Sequence, residues 1–560
     1  MKNPGFWLAA AATLCAAVAC GKDQPKSDAE GDGDGAARPA YEGRDASNLK
    51  APDFMQYIPA DSPIVLASYE PLPKPFVDKL ATAFAGFGDL FQKAIDDGRA
   101  DAGGDAGSIA ILDALDGKLS MAGLASVGVR LDTRWALYMV GASLVGRVEL
   151  ADGAKLEAFI EAVAETSGAE LARGNVGGQA FYRYVEDDLM IAIAIQDDEL
   201  VAAMLPVGAE AEILPVVFKQ QKPDASIVDT GALRDVVAKY GFAGYSPGYV
   251  DLRALARALT TESSSVARHL GITTSGECRR ELMELAEVMP RWVFGYTSID
   301  GGKMTGLTVL ELRKDIAADM KALAYPVPGL QSLAKSSPMM AFGAGVDMGK
   351  TLAWIETKSR AITAAPYECD LLDWINDGAS YLGENVGDAP SALAGFKGGI
   401  VVLDEFALGG MMPEIAGYGF IGLDDPMDLI DMGKAMDPSL AKLTVKPNGE
   451  AVRVPVPVPG LADIHVAVKN KWLGASVGGG KHKSNMTRLI ASAAPRGGPF
   501  LVIVYDYGRM LTSMSAMMDA NDPDMPPGLI DTVAKHLGHI VEEFYFEDQG
   551  IVIRYEFSLR

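Results

Sequence analysis

Cysteine and histidine are scarce in this chain, with 4 and 5 copies in 560 residues. That scarcity excludes a disulfide-dense scaffold and leaves few ligands for a structural zinc cluster. Positive charge is also short: 50 Lys and Arg stand against 74 Asp and Glu, a net charge of −24. A chain so poor in cations does not suit phosphate backbones or anionic head groups, so nucleic acid is not an expected partner. Long apolar runs are missing too. The stretch from Phe6 to Ala19 covers about 14 residues, short of the roughly 20 that a spanning helix needs. Half of the residues are nevertheless hydrophobic (49%). At this length more than one core is expected, since single cores rarely grow past about 250–300 residues.

The apolar run follows Lys2 and closes with Ala17-Val18-Ala19 before Cys20. A positive start, a short apolar middle and small residues at the end are the layout of an export signal. The cysteine placed there makes the stretch resemble a bacterial lipoprotein signal, the lipobox, with Ala17 where that family prefers Leu. The resemblance implies a signal peptide over residues 1–19. It also implies a diacylglycerol on the Cys20 thiol and an acyl chain such as palmitate on the new amine. Gly21 fits outer-membrane sorting, so the expected location is the cell envelope, anchored by lipid and facing the periplasm or the cell surface. An ordinary secretory signal cut near Ala19 is the alternative. Residues 20–50 then read as the anchored cysteine and an acidic flexible linker, since this composition buries too little apolar surface to order itself. Its alternating acids do not make a calcium loop, because Pro39 stands where the bidentate Glu is needed.

The folded part is marked by self-similarity. Gly248-Tyr249-Val250-Asp251-Leu252, Ala344-Gly345-Val346-Asp347-Met348 and Val504-Tyr505-Asp506-Tyr507 each follow an extended apolar stretch and precede a helical one. Asp251, Asp347 and Asp506 are predicted helix N-caps. A looser first copy starts at Pro63. After each copy comes a strand–turn–strand pair, with Asp-Gly or Gly-Gly tips typical of hairpins. Similar helix and strand blocks fill the remaining intervals. The spacing predicts an internally duplicated α+β protein of two similar halves, residues 51–325 and 326–560, joined near Pro326–Ser337. Each half is expected to hold an antiparallel sheet with β-hairpins and packed helices. Cys278 and Cys369 sit at comparable places in the two halves, and an oxidising envelope favours a disulfide between them.

Several stretches look like chemistry. Ala344 to Thr351 satisfies a relaxed phosphate-loop pattern, but Asp347 puts an anion where anions would bind and no nucleotide is expected. Gly474-Ala475-Ser476-Val477-Gly478 matches the GxSxG elbow of serine hydrolases, with His465 on the neighbouring strand as the available base. His536 and His539 lack a distant third ligand, so no metal site is predicted. Met510, Met514, Met517 and Met518, beside Met525, fall at helical spacing and read as core or an apolar groove rather than a copper site. Lys469, Lys471, Lys481, His482 and Lys483 form a basic rim. No cofactor is implied. The body loosely resembles uncharacterised exported bacterial proteins with a PADSP-like start and recurring VDL junctions, a resemblance that implies no activity. The expectation is a membrane-anchored envelope lipoprotein with a non-catalytic binding or structural role. A protein or apolar ligand would sit in a cleft between the halves. An exported acyl hydrolase using Ser476 and a passive surface scaffold are the alternatives.

Overall fold

Along Trp135–Val140 and Leu501–Asp506, both almost wholly apolar, every second side chain is buried, which is what a strand covered on one face requires. The computed structural model describes residues 41–85, 88–103, 106–118, 120–168, 172–261, 268, 275–388, 390–407, 414–455, 463–513 and 529–560. Cys20, His269, Met514, Met517, Met518 and Met525 lie outside them. The strands of the first part are β1 (Ile64–Ala67), β2 (Trp135–Val140), β3 (Ser143–Glu149), β4 (Arg173–Val176), β5 (Gln179–Glu186), β6 (Leu189–Gln196), β7 (Glu199–Pro206), β8 (Gly248–Asp251), β9 (Arg291–Asp300) and β10 (Lys303–Glu311). Those of the second are β11 (Met340–Ala344), β12 (Phe396–Ala407), β13 (Glu414–Leu423), β14 (Val452–Arg453), β15 (His465–Lys469), β16 (Trp472–Val477), β17 (Leu501–Asp506), β18 (Leu537–Glu547) and β19 (Gly550–Leu559).

The chain is α+β, and its strands form one antiparallel sheet. Hydrogen-bonded neighbours run β4-β5-β6-β7-β3-β2-β1-β8-β9-β10-β19-β18-β17-β11-β12-β13-β16-β15-β14. The pairing order of the first part recurs in the second. β1 pairs with β2 and β8, and β3 with β7; β11 pairs with β12 and β17, and β13 with β16. The two runs meet where β10 lies against β19 over nine consecutive pairs, with Leu307 opposite Arg554 in the middle. Among the described residues the strands thus make one sheet where one in each half was expected. The hairpin strands that end the two runs leave an edge each, and pairing those edges satisfies backbone groups that two free sheets would expose.

One face of the sheet is buried. In the first part Val65, Tyr138, Val145, Ala192 and Val201 pack under the helices Glu210–Val217 and Ala232–Tyr240. In the second, Ala341, Ile400, Val502 and Val504 pack under α-helical residues Leu330, Leu333, Met486 and Ile490. Residues 41–50 were assigned to the flexible linker, and here the structure differs. Ala46 and Leu49 are buried, Tyr41 packs on Tyr240, and Arg44 donates to the Phe242 carbonyl (3.0 Å). These apolar side chains set the segment apart from the acidic residues before it.

Some polar groups inside the core are paired, though the Ser143, Ser359 and Ser476 hydroxyls are not. Glu311, on β10, accepts from Arg291 (2.8 and 3.1 Å), Lys239 (2.7 Å) and the Tyr240 hydroxyl. Burial works against its charge, yet these three donors together hold its carboxyl down at about 2, below the ordinary 4.5. A carboxyl depressed in the folded state stabilises fully above its unfolded pKa, and that contribution disappears as pH falls through the folded value. Glu311→Gln is expected to remove an acid-sensitive term on the order of 3 kcal/mol. In urea titrations the wild type should lose stability between about pH 5 and pH 2, and the variant should lose less over that window.

Two helices of the β8–β9 connection, α1 (Leu252–Thr260) and α2 (Gly276–Val288), pair with each other; so do α3 (Met348–Ala364) and α4 (Asp373–Asn385) of the β11–β12 connection. A disulfide between Cys278 and Cys369 joins the two connections, with Cα atoms 4.5 Å apart. Ile362, Leu372, Ile375 and Ala379 surround it. The buried Glu281 carboxylate accepts the Glu368 and Cys369 amides at 3.0–3.1 Å. By strand order β8 corresponds to β17 rather than to β11, so the bridged cysteines are not equivalent positions of the two halves. They meet because these two helical connections stand side by side.

Candidate ligand-binding face

The three aspartates at strand ends are helix caps in the structure. Asp251 accepts the Ala254 amide (2.9 Å), Asp347 the Lys350 amide (3.2 Å) and Asp506 the Arg509 amide (3.0 Å). Asp347 also pairs with Lys397 (3.0 Å), and Asp506 with Arg560 (2.5 and 2.6 Å). Burial opposes the Asp347 charge, but Lys397 and the Lys350 amide win and hold its carboxyl below the usual carboxylate range. The phosphate-loop pattern is thus filled by an anion already. Lys350 turns its ammonium to the Ala322 carbonyl (3.5 Å) and Thr351 donates to the Asp347 carbonyl (2.9 Å).

Ser476 lies inside β16 and is 1% exposed, with no hydrogen-bond partner for its hydroxyl. It stands opposite His465 in register, but the two side chains do not bond. The His465 Nδ1 meets the Asp463 carbonyl at 3.0 Å. A Cβ on Gly474 would meet Met486 Sδ at 2.7 Å, so helix Gly480–Ile490 runs back over β16. His482 Nδ1 lies 3.3 Å from Asp404, without the alignment of a hydrogen bond. Ser476 is therefore no exposed elbow, and it is not bonded to His465.

The remaining motifs disperse. Lys469 donates to the Asn448 carbonyl (2.7 Å), Lys471 pairs with Asp424 (3.3 Å), and His482 is buried, so the basic rim is not a patch. His539 lies 3.6 Å from Asp506 rather than beside His536 in a helix. Among the described residues no group of three or more His, Cys, Asp or Glu is placed to hold a metal ion. No helix among them is long and apolar enough to cross a membrane. A cleft of about 940 Å³ opens between the joint near Tyr325 and Val327, the loop before β17 and the β18–β19 tip. Phe500 and Phe546 stack in it at 3.8 Å, but its rim charges answer each other, as in Lys321–Asp548 at 2.7 Å.

The side of the sheet opposite the core is where unmet chemistry gathers. Cross-strand partners share a face. Phe342 on β11 pairs with Val401 on β12 and with Ile503 on β17. Ile503 pairs with Glu542 on β18, and Glu542 with Tyr555 on β19. Phe342 is 47%, Val401 55% and the nearby Met340 42% exposed. Burying such a side chain fully stabilises by roughly 1.5–3 kcal/mol, so about half of that is unrealised at each. Tyr555 leans over Gly306 of β10, where a Cβ would clash with its ring at 2.3 Å, and meets Tyr296 edge-on at 6.1 Å. Only glycine leaves room for that ring. Burial raises the Glu542 carboxyl above its ordinary value. Burial, then Glu542 and Tyr507, pushes the Tyr505 phenol up to about 12. A second apolar row lies on the far wing, where the exposed Tyr184, Ile191 and Met204 are cross-strand neighbours.

No family model, curated protein or solved structure matches this chain.

Proposed function

We propose that this chain is an exported lipoprotein, held to an envelope membrane, the outer membrane by its Gly21, through acylated Cys20. Its body binds an apolar chain without chemical turnover. The observation that carries the binding role is the apolar row Val401–Phe342–Ile503, half-exposed at Val401 and Phe342, on the side of the sheet opposite the core. Contiguous exposed apolar surface on an otherwise acidic chain marks a place where something apolar docks. The Cys278–Cys369 disulfide supports an oxidising compartment. The repeated pairing order, centred on Leu307 and Arg554, supports duplication of one half.

Phe342→Glu combined with Val401→Glu is expected to weaken binding of an environment-sensitive alkyl probe at least tenfold, since each buried charge costs far more than the apolar contact it replaces. Both sites are half exposed, so the fold should tolerate the changes. Equal probe affinity in the variant and the wild type contradicts the binding role. The enzyme reading rests on Ser476 with His465 opposite it on the neighbouring strand. It is the second choice because the nucleophile is 1% exposed.

A further inference from the structure

We propose that Glu542 is the head-group anchor of the open face, selecting an amphiphile with a cationic ammonium over neutral or anionic ones of the same chain length. This inference rests on the apolar-chain reading above and adds the chemistry of the ligand's polar end.

Glu542 is the one acidic member of its row. Its cross-strand neighbours are Ile503 and Tyr555, and its along-strand neighbours on the same face are Ile540 and Phe544. Among the described residues no donor or cation meets its carboxylate. The cations of the adjoining strands are engaged elsewhere: Arg554 with Glu543 on the opposite face (4.0 Å), Lys303 with Glu556 (2.7 Å) and Arg560 with Asp506. The Tyr555 phenol turns away, across Gly306. A carboxylate set among apolar side chains and left without a partner is costly unless something brings the missing charge.

Tyr505 lies one diagonal step from Glu542, next to Ile540 and Met340, and stands edge-on to Tyr507 at 4.9 Å. An ammonium placed at Glu542 would gain a charge-assisted hydrogen bond and an aromatic face within reach. Its alkyl chain would then run along Ile503 and Phe342 towards Val401. An anionic amphiphile on the same row would set like charges together, and a neutral one would leave the carboxylate unpaired.

The test titrates the full chain with dodecylammonium, dodecanol and dodecyl sulfate, each below its micelle concentration, in the wild type, Glu542→Gln and Glu384→Gln. Glu384 is an exposed acid far along the helix Asp373–Asn385 and controls for the general pull of an acidic protein on cations. The wild type and the Glu384→Gln variant are expected to prefer dodecylammonium over dodecanol by about tenfold, the effect of one charge-assisted hydrogen bond. Glu542→Gln should abolish that preference and leave the dodecanol affinity unchanged. A preference that survives in Glu542→Gln, or no preference in the wild type while dodecanol binds, overturns the anchor and leaves the apolar face standing. Absence of binding by all three overturns both.

Discussion

Replacing Cys278 and Cys369 by Ala is expected to destabilise the protein by about 4–5 kcal/mol. The two cysteines are 91 residues apart in sequence, and closing a loop of that length removes much of the freedom of the unfolded chain. The bridge also fastens two helical connections whose own apolar cluster is small, with Ile362, Leu372, Ile375 and Ala379 at its centre. Glu281 ties the Glu368 and Cys369 amides to α2 independently of the sulfurs, so the arms should stay docked in the native state while unfolding becomes easier. Urea unfolding of the wild type, with and without reductant, and of the double variant checks this. Reduced wild type and variant should share a lower midpoint than oxidised wild type. Three coincident midpoints contradict the expectation.

Arg147→Ala is expected to cost about 3–5 kcal/mol, the loss seen when one member of a buried pair is removed. The guanidinium is wholly buried in the first core. It donates to the Tyr138 hydroxyl (2.7 Å), to Glu199 and to the Val217 carbonyl. Lys219 reaches Glu199 from the other side at 2.8 Å. Removing the arginine leaves a nearly buried carboxylate with one partner in place of two, and an orphaned carbonyl at the end of helix Glu210–Val217. Arg147→Met should cost less, because it restores the volume without restoring the pairing. The readout is the thermal midpoint of the full chain. A fall in the Ala variant no larger than in a surface Arg→Ala variant, such as Arg279→Ala, contradicts this role.

Some of this architecture was legible in the sequence, for reasons that particular residues make plain. Asp251, Asp347 and Asp506 announce strand-to-helix junctions because a capping side chain must stand at that one place. The hairpin β9–β10 shows in its Gly301-Gly302 tip, both glycines at positive φ. The antiparallel α+β class follows from such local signals. The single sheet does not, because β10 and β19 are about 250 residues apart in sequence and nothing local marks two hairpin strands as partners. The cysteine pairing could be read from the count of cysteines, but the reason for it could not, since which helical connections stand side by side is set by that same remote pairing. Sequence alone does not tell Glu542 from Glu543: the two differ only in which face they point to, and a register set by β17 and β19 decides that.

Ligand specificity on an open sheet face comes from few polar groups in a wide apolar field. Here the field is the Val401, Phe342 and Ile503 row, and the polar groups are Glu542 and the phenols beside it. The buried face, carried by the residues around Val502 and Ile400, supplies the rigidity that lets the opposite face stay uncovered.

The most direct measurement is covalent mapping with a photoreactive alkyl probe on the full chain, followed by digestion and mass spectrometry of the labelled peptides. The account expects label on the β11, β12 and β17 strands, at and around Met340, Phe342, Val401 and Ile503, and its loss in the Phe342→Glu, Val401→Glu variant. Label spread evenly over exposed apolar positions such as Ile111, Leu371 and Met436, or unchanged by the double substitution, contradicts it.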